Sequence, residues 1–169
     1  TFPKSLWTVY VAVFAATSSD KDAIILDFLS GSATAADAVM SGEVKRAFAL
    51  VRPPGHHAMR VVHGIRGFCV INIEAIMVAY LRQKYGVRKI AIVDTDVHHG
   101  DGTQDIFYHD PDTLYISFHQ DGRTLYPGTG FPNEAGSPAA LGTNINLPLL
   151  PGTGDEGVHR LFDGIIRPI

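Results

Sequence analysis

Two short stretches of this sequence carry side chains able to bind a metal ion or move protons. The denser is Asp94-Thr95-Asp96-Val97-His98-His99-Gly100-Asp101. Asp94, Asp96 and His98 alternate at the end of an apolar run, so an extended backbone projects them to one side. A carboxylate oxygen and a neutral imidazole nitrogen both suit a borderline cation such as Zn²⁺. A catalytic site commonly takes three protein ligands and keeps one position for water and substrate, so an Asp-x-His pair alone is an incomplete set. The bland alternative is a surface loop of solvated acids and histidines. It fits poorly here, because an unpaired charge directly behind a strongly apolar strand is costly.

The second stretch is Pro53-Pro54-Gly55-His56-His57. Two prolines and a glycine define the turn that holds the tandem histidines. Imidazole transfers protons near neutral pH, and a carboxylate on its second nitrogen fixes tautomer and basicity. Asp94 and Asp101 flank the ligand candidates and are available as those partners. Taken without the metal segment, the pair reads equally well as loop histidines hydrogen-bonded for structure alone.

The elements that must position these groups are legible as alternating strands and helices. Lys89 to Val93 is apolar and rich in β-branched residues, which suggests a strand covered on both faces, as in a parallel sheet. Arg46 to Val51, Thr113 to Phe118 and Asn144 to Leu147 read as further strands. Asp22 to Met40 reads as helical, broken at Leu29-Ser30-Gly31-Ser32 and restarted at Thr34-Ala-Ala-Asp37. Ile71 to Tyr85 reads as a helix capped by Gly86, with shorter helices at Thr103 to Tyr108 and Asp155 to Ile166. This order implies an α/β domain with a mostly parallel sheet, whose ligands bind at the carboxyl ends of the strands. Both polar stretches fall there.

Composition sets outer bounds. The 169 residues suffice for one domain with a sizeable core, and 46% hydrophobic with 18% charged residues is ordinary for a globular protein. A net charge of −3 offers no broad basic surface for nucleic acid. Cys69 is the only cysteine, which excludes an internal disulfide and suggests a reducing, cytoplasmic setting. Cys69 itself reads as a small buried residue, since nothing basic is placed to activate it. Leu6 to Ala16 is too short to span a bilayer and faintly resembles a signal peptide; a buried helix or strand is the better expectation, with no membrane partner. Thr1 at the start and the apolar Ile165-Ile166-Arg167-Pro168-Ile169 at the end suggest a chain cut at both ends, a partial domain.

Four motifs together resemble the zinc-dependent histone deacetylase family, which includes the acetylpolyamine amidohydrolases. They are Arg52-Pro-Pro-Gly-His-His-Ala58, Gly67-Phe68-Cys69, Val93-Asp-Thr-Asp-Val-His-His-Gly-Asp-Gly102 and Tyr126-Pro-Gly-Thr-Gly130. The resemblance covers about residues 46–166 of a single domain, 1–169, and the stretches at 57–64 and 120–125 look like the prokaryotic, class II-like branch. It implies a three-layer arginase/deacetylase-like fold. It makes Asp96 and His98 zinc ligands, His56 and His57 the catalytic histidines, and Asp94 and Asp101 the carboxylates behind them. Gly67, Phe68 and Tyr126 match positions lining an acyl-lysine tunnel. Ser117 resembles a side-chain ligand of a structural K⁺ site, completed by carbonyls of Asp94, Asp96, His98 and Phe118. Carbonyls near Phe107, Asp110 and Thr113 match a second K⁺ site. His99 is expected behind the ligands; His63, His109, His119 and His159 receive no role, and most of them are expected to be structural or exposed. From composition alone, Phe68 and Tyr126 would be plain core residues.

The implied reaction is metal-assisted hydrolysis of an acetamide, on acetyl-lysine in proteins or on acetylpolyamines and other small acetylated amines; an oligomer is possible. Neither the aspartate segment that supplies the family's third zinc ligand nor its Gly-Gly-Tyr motif occurs in this sequence, so a non-catalytic acetyl-lysine-binding module or inactive fragment is the rival. Ile73 also stands where the family commonly has asparagine, which puts local hydrogen bonding there in question. An arginase-type ureohydrolase with two manganese ions fits less well, because His98-His99-Gly100-Asp101-Gly102 departs from its metal segment.

Overall fold

The computed structural model describes residues 22–26, 31–61 and 63–169, the first of these by its backbone alone. The elements run β1 (Asp22–Leu26), α1 (Gly31–Met40), β2 (Arg46–Leu50), α2 (Ile73–Tyr85), β3 (Ile90–Asp94), α3 (Asp101–Phe107), β4 (Thr113–Gln120), β5 (Asn144–Leu149) and α4 (Asp155–Leu161), which runs on as a π-helical turn over Phe162–Ile166. Among the described residues every strand pair is parallel. β1 pairs with β2, and a second sheet has the order β3-β4-β5. Parallel neighbours require crossovers: α1 supplies the one from β1 to β2 and α3 the one from β3 to β4, while β4 reaches β5 through a long connection with a 3₁₀ turn at Pro138–Ala140. β4 is the buried central strand of the second sheet, and β5 carries Pro148 at an edge, where a missing N–H is tolerated.

Helix α2 shows how the site's supports are built. Asn72 caps it, its side chain accepting from the Ala75 amide at 2.9 Å, and Gly86 closes it at φ 66°. The same Asn72 donates through Nδ2 to Thr103 Oγ1 at 3.0 Å and to the Ala58 carbonyl at 3.3 Å. One side chain thus ties the start of α2 to α3 and to the histidine loop. Ile73, beside it, is buried and takes no part in that bonding.

Two expectations are corrected. Asp22 to Met40 is not a broken helix: its first part is strand β1, paired in parallel with β2, and the helix begins at Gly31, ahead of the restart expected at Thr34. The apolar Ala-Ile-Ile-Leu run finds a strand partner, and pairing overrides its helix-compatible composition. Asp37, the last residue of that expected start, lies within the helix, where its carboxylate accepts from Tyr80 and Tyr85 and pairs with Lys84 of α2. Strand β3 is not covered on both faces among the described residues, since its burial alternates and Val93 is 42% exposed. A cleft of about 520 Å³ lies between β2 and β3, lined among others by Leu50, His56, Glu74, Val93, Asp94 and Asp96. The stretch Leu6 to Ala16 lies outside the described residues. Among the described residues no helix is long and apolar enough to cross a membrane.

Candidate active site

The carboxyl end of β3 and the loop after β2 meet. His56 Nδ1 lies 2.9 Å from Asp94 Oδ2, and His57 Nδ1 lies 2.7 Å from Asp101 Oδ1. Both pairings match the resemblance. Because each Nδ1 faces a carboxylate, each is the protonated nitrogen, and each Nε2 is left for other partners. His57 and Asp101 are almost wholly buried, at 2% and 4% exposure. The His56 and His57 rings are 4.1 Å apart between centroids.

Asp94 is held by more than His56. Tyr115 donates its hydroxyl to Asp94 Oδ2 at 2.8 Å and to the Gly100 carbonyl at 3.1 Å, while the Asp96 amide donates to Asp94 Oδ1. Burial pushes the Asp94 carboxyl upward, but the hydrogen bond and charge of His56, with those two donors, leave it below its ordinary value. For His56, burial disfavours the charged form; the hydrogen bond and charge of Asp94, then Asp96 and Glu74, outweigh it and raise its pKa. Tyr115, fully buried beside Asp94, is raised well above the usual phenol range by burial. Gly100 is required here: a Cβ would overlap Asp94 Oδ2 and the Tyr115 hydroxyl.

Asp96 Oδ1 lies 3.0 Å from His98 Nδ1 and accepts from the His98 amide at 2.8 Å. Two donors each about 2.0–2.1 Å from a tetrahedral zinc ion sit roughly 3.3 Å apart, so the pair fits two positions of one ion. His56 Nε2 lies 4.0 Å from the same Asp96 oxygen. Among the described residues no group of three or more His, Cys, Asp or Glu side chains is placed to hold a metal.

Two of the expected tunnel residues, Gly67 and Tyr126, lie against His57. Arg66 and Cys69 exchange backbone hydrogen bonds across a tight turn in which Gly67 has φ 53° and Phe68 has φ 66°. A Cβ on Gly67 would overlap the His57 ring, so the glycine lets the turn lie flat against the imidazole. Phe68 is no core residue; it is 85% exposed at the tip of that turn. Tyr126 is 45% exposed and meets the His57 ring edge-on at 5.0 Å and the His98 ring at 6.3 Å. Cys69 is 1% exposed, and burial pushes its thiol up, consistent with a packing role.

A buried polar network beneath the metal segment was not legible in advance. His119 Nε2 faces the Gly130 carbonyl at 3.0 Å and Nδ1 faces Ser117 Oγ at 2.8 Å, so Nε2 carries the proton and the serine donates. His99, expected behind the ligands, donates from Nε2 to Gln104 Oε1 at 3.1 Å and accepts from Thr129 at 2.8 Å. Gln104 Oε1 also accepts from Asn144 and Asn146, and its amide donates to Glu134. Both histidines are neutral: burial, then the neighbouring His119, lowers His99 to about 4, and burial lowers His119 too. Their only sequence signal is polarity within the buried strand β4 and beside the ligands. Phe107, Asp110 and Thr113 do gather in one turn, where the Asp110 amide donates to the Phe107 carbonyl and Thr113 donates to Asp110.

Comparison with known proteins decides the family. Residues 13–169 match the histone deacetylase domain. The chain belongs to the histone deacetylase family. It is 52% identical over 139 residues to a probable deacetylase of Archaeoglobus fulgidus, covering 82% of this chain and 37% of that protein. It is 48% identical to human histone deacetylase 9 over 79% of this chain and 14% of that one. Among solved structures it resembles the HDA15 HD domain (TM-score 0.75, 43% identity) and an acetylpolyamine aminohydrolase from Burkholderia pseudomallei (TM-score 0.73, 41% identity); each covers 81% of this chain, which spans 40% and 39% of theirs. This family chain therefore spans well under half the length of the relatives it matches, and its fold is theirs over that span.

Proposed function

We propose that this chain carries the metal-binding and proton-transfer part of a zinc-dependent deacetylase that hydrolyses the acetamide of acetyl-lysine in proteins. The observation that carries the reading is the pair of histidine–carboxylate contacts, buried at His57–Asp101 and partly buried at His56–Asp94, close to the Asp96–His98 pair. Asp96 and His98 would hold the ion. Zinc bound there supplies Lewis-acid polarisation of the acetamide carbonyl and acidifies the attacking water.

The chain's own residues do the rest. Asp101 holds His57 with its proton on Nδ1, leaving Nε2 to accept a proton from the attacking water. Asp94, fixed by Tyr115, does the same for His56. One histidine takes the water proton and one returns a proton to the leaving amine. Gly67, Phe68 and Tyr126 would line the approach of the acyl-lysine side chain. A structural potassium ion would draw on Ser117, whose proton is committed to His119, together with the carbonyls of Asp94, Asp96, His98 and Phe118; a second would use carbonyls near Phe107, Asp110 and Thr113.

Similarity to the acetylpolyamine aminohydrolase supports a second reading with the same chemistry on a small acetylated amine. The test is zinc content and hydrolysis of acetyl-lysine peptides against acetylpolyamines by the protein carrying this chain. Asp96→Ala abolishes both zinc and hydrolysis on this account; hydrolysis that survives with the zinc gone refutes it.

A further inference from the structure

The carboxylate behind His57 meets a cation that neither the motifs nor the reaction above uses. Asp101 Oδ1 lies 2.7 Å from His57 Nδ1, and Arg66 Nη2 lies 2.7 Å from the other oxygen, Oδ2. The Asp101 side chain is 4% exposed and that of Arg66 31%, so the guanidinium reaches in from the rim to a buried charge. Among the described residues Oδ2 has no hydrogen-bond partner, which leaves this ion pair as the contact that offsets it. Arg66 is itself tied down. Its backbone exchanges hydrogen bonds with Cys69 at 3.4 and 2.7 Å, and its Nη1 reaches Met59 Sδ at 2.9 Å. The same turn seats Gly67 against the His57 ring. One loop therefore meets the His57–Asp101 pair twice, by its backbone at the imidazole and by a side chain at the carboxylate.

We propose that Arg66 is a positioning residue for the acetamide hydrolysis proposed above, acting through Asp101 alone by holding the carboxylate so that Oδ1 stays on His57 Nδ1. The inference rests on that reading of the reaction. The terminal torsion of an aspartate is soft, so one contact on Oδ1 leaves the carboxylate plane free to turn. A cation on Oδ2 fixes the second oxygen, and with it the direction in which the first accepts. Removing one partner of a buried ion pair leaves the other charge uncompensated, and Asp101 then turns or draws in water to find a donor. Either response loosens His57, whose Nε2 has to meet the attacking water. The proton-transfer step suffers, and substrate binding does not. Because a single charged oxygen has to be met, the compact ammonium of lysine can stand in for the guanidinium.

The test uses the zinc-loaded protein that carries this chain, with an acetyl-lysine peptide as substrate and kcat and KM measured separately. Arg66→Met is expected to lower kcat about tenfold, with KM and zinc content unchanged. Arg66→Lys is expected to recover most of kcat. Asp101→Asn takes away the charged oxygen that Arg66 meets, so adding Arg66→Met to it is expected to lower kcat no further. Wild-type kcat in the methionine variant, a loss carried by KM, a lysine variant no better than methionine, or kcat losses that multiply in the double variant each overturn the role. Should the methionine variant fail to fold, the uncharged Arg66→Gln takes its place in the same cycle. If the wild-type protein hydrolyses no acetamide, the reading of the reaction has failed, and the positioning is then followed by proton NMR. The signal of the His57 Nδ1 proton, assigned by its loss in His57→Ala, is expected to weaken through faster exchange with water in the methionine variant and to return in the lysine variant. A signal unchanged from wild type in the methionine variant, or one that lysine does not restore, overturns the inference.

Discussion

Replacing Tyr115 by phenylalanine removes one oxygen from the most enclosed part of the site. The hydroxyl donates to Asp94 Oδ2 at 2.8 Å and to the Gly100 carbonyl at 3.1 Å, and the residue is 1% exposed. A hydrogen bond to a charged partner contributes about 1.5–3 kcal/mol. Asp94 keeps His56 and the Asp96 amide as donors, which places the loss near the lower end, about 1.5–2 kcal/mol. With a urea slope of roughly 2 kcal/mol/M, the unfolding midpoint drops by about 1 M. Asp94 also aligns His56, so hydrolysis of an acetyl-lysine peptide falls about tenfold, the scale of losing a partner behind a ligand or base. Urea unfolding followed by circular dichroism and steady-state kinetics measure both effects. A midpoint within about 0.2 M of wild type, with unchanged kcat/KM, would refute the claim that Tyr115 holds Asp94.

Further outcomes follow from the same geometry. Gly67→Ala pushes a methyl into the His57 ring at a left-handed φ, so turnover falls at least tenfold while zinc content, read by atomic absorption, is unchanged. Asp101→Asn keeps the size of the side chain but loses the carboxylate on His57 Nδ1; kcat falls about 10²–10⁴-fold, and a loss under threefold in steady-state kinetics contradicts the pairing. Glu74 has Oε2 buried without a hydrogen-bond partner, and burial raises its carboxyl above the ordinary 4.5. The folded protein then holds that proton longer than the unfolded chain, so stability present below pH 4.5 declines as pH rises through the folded pKa. Glu74→Gln removes this decline and is more stable than wild type at pH 7, as urea midpoints at pH 5 and pH 7 would show.

Much of the site was legible because it is local. Asp94 to Asp101 follows directly on a β-branched strand, and the Pro-Pro-Gly turn sets the tandem histidines, so the side chains sit where strand ends in a parallel sheet place them. What stayed hidden is set by partners distant in the chain. Tyr115 looks like a core aromatic until the β3–β4 register puts Ile92 beside it and its hydroxyl on Asp94. His119 and Gln104 belong to a network whose other members lie at Gly130, Glu134, Asn144 and Asn146, and no spacing rule joins them. Asp22 to Leu26 differs from its helical expectation for the same reason: a five-residue apolar run becomes strand or helix according to what lies beside it, and here Arg46–Leu50 lies beside it. Arg66 carries no motif of its own, and only the fold shows it beside Asp101.

The most direct test of the assigned chemistry is His57→Ala in the zinc-loaded protein that carries this chain, with metal content and turnover measured on the same sample. His57 moves protons and does not hold the ion on this account, so zinc stays bound while hydrolysis of an acetyl-lysine peptide falls about 10²–10⁴-fold. Wild-type turnover with zinc in place would contradict the role given to His57, and with it the reading of the His57–Asp101 pair as the proton-transfer centre.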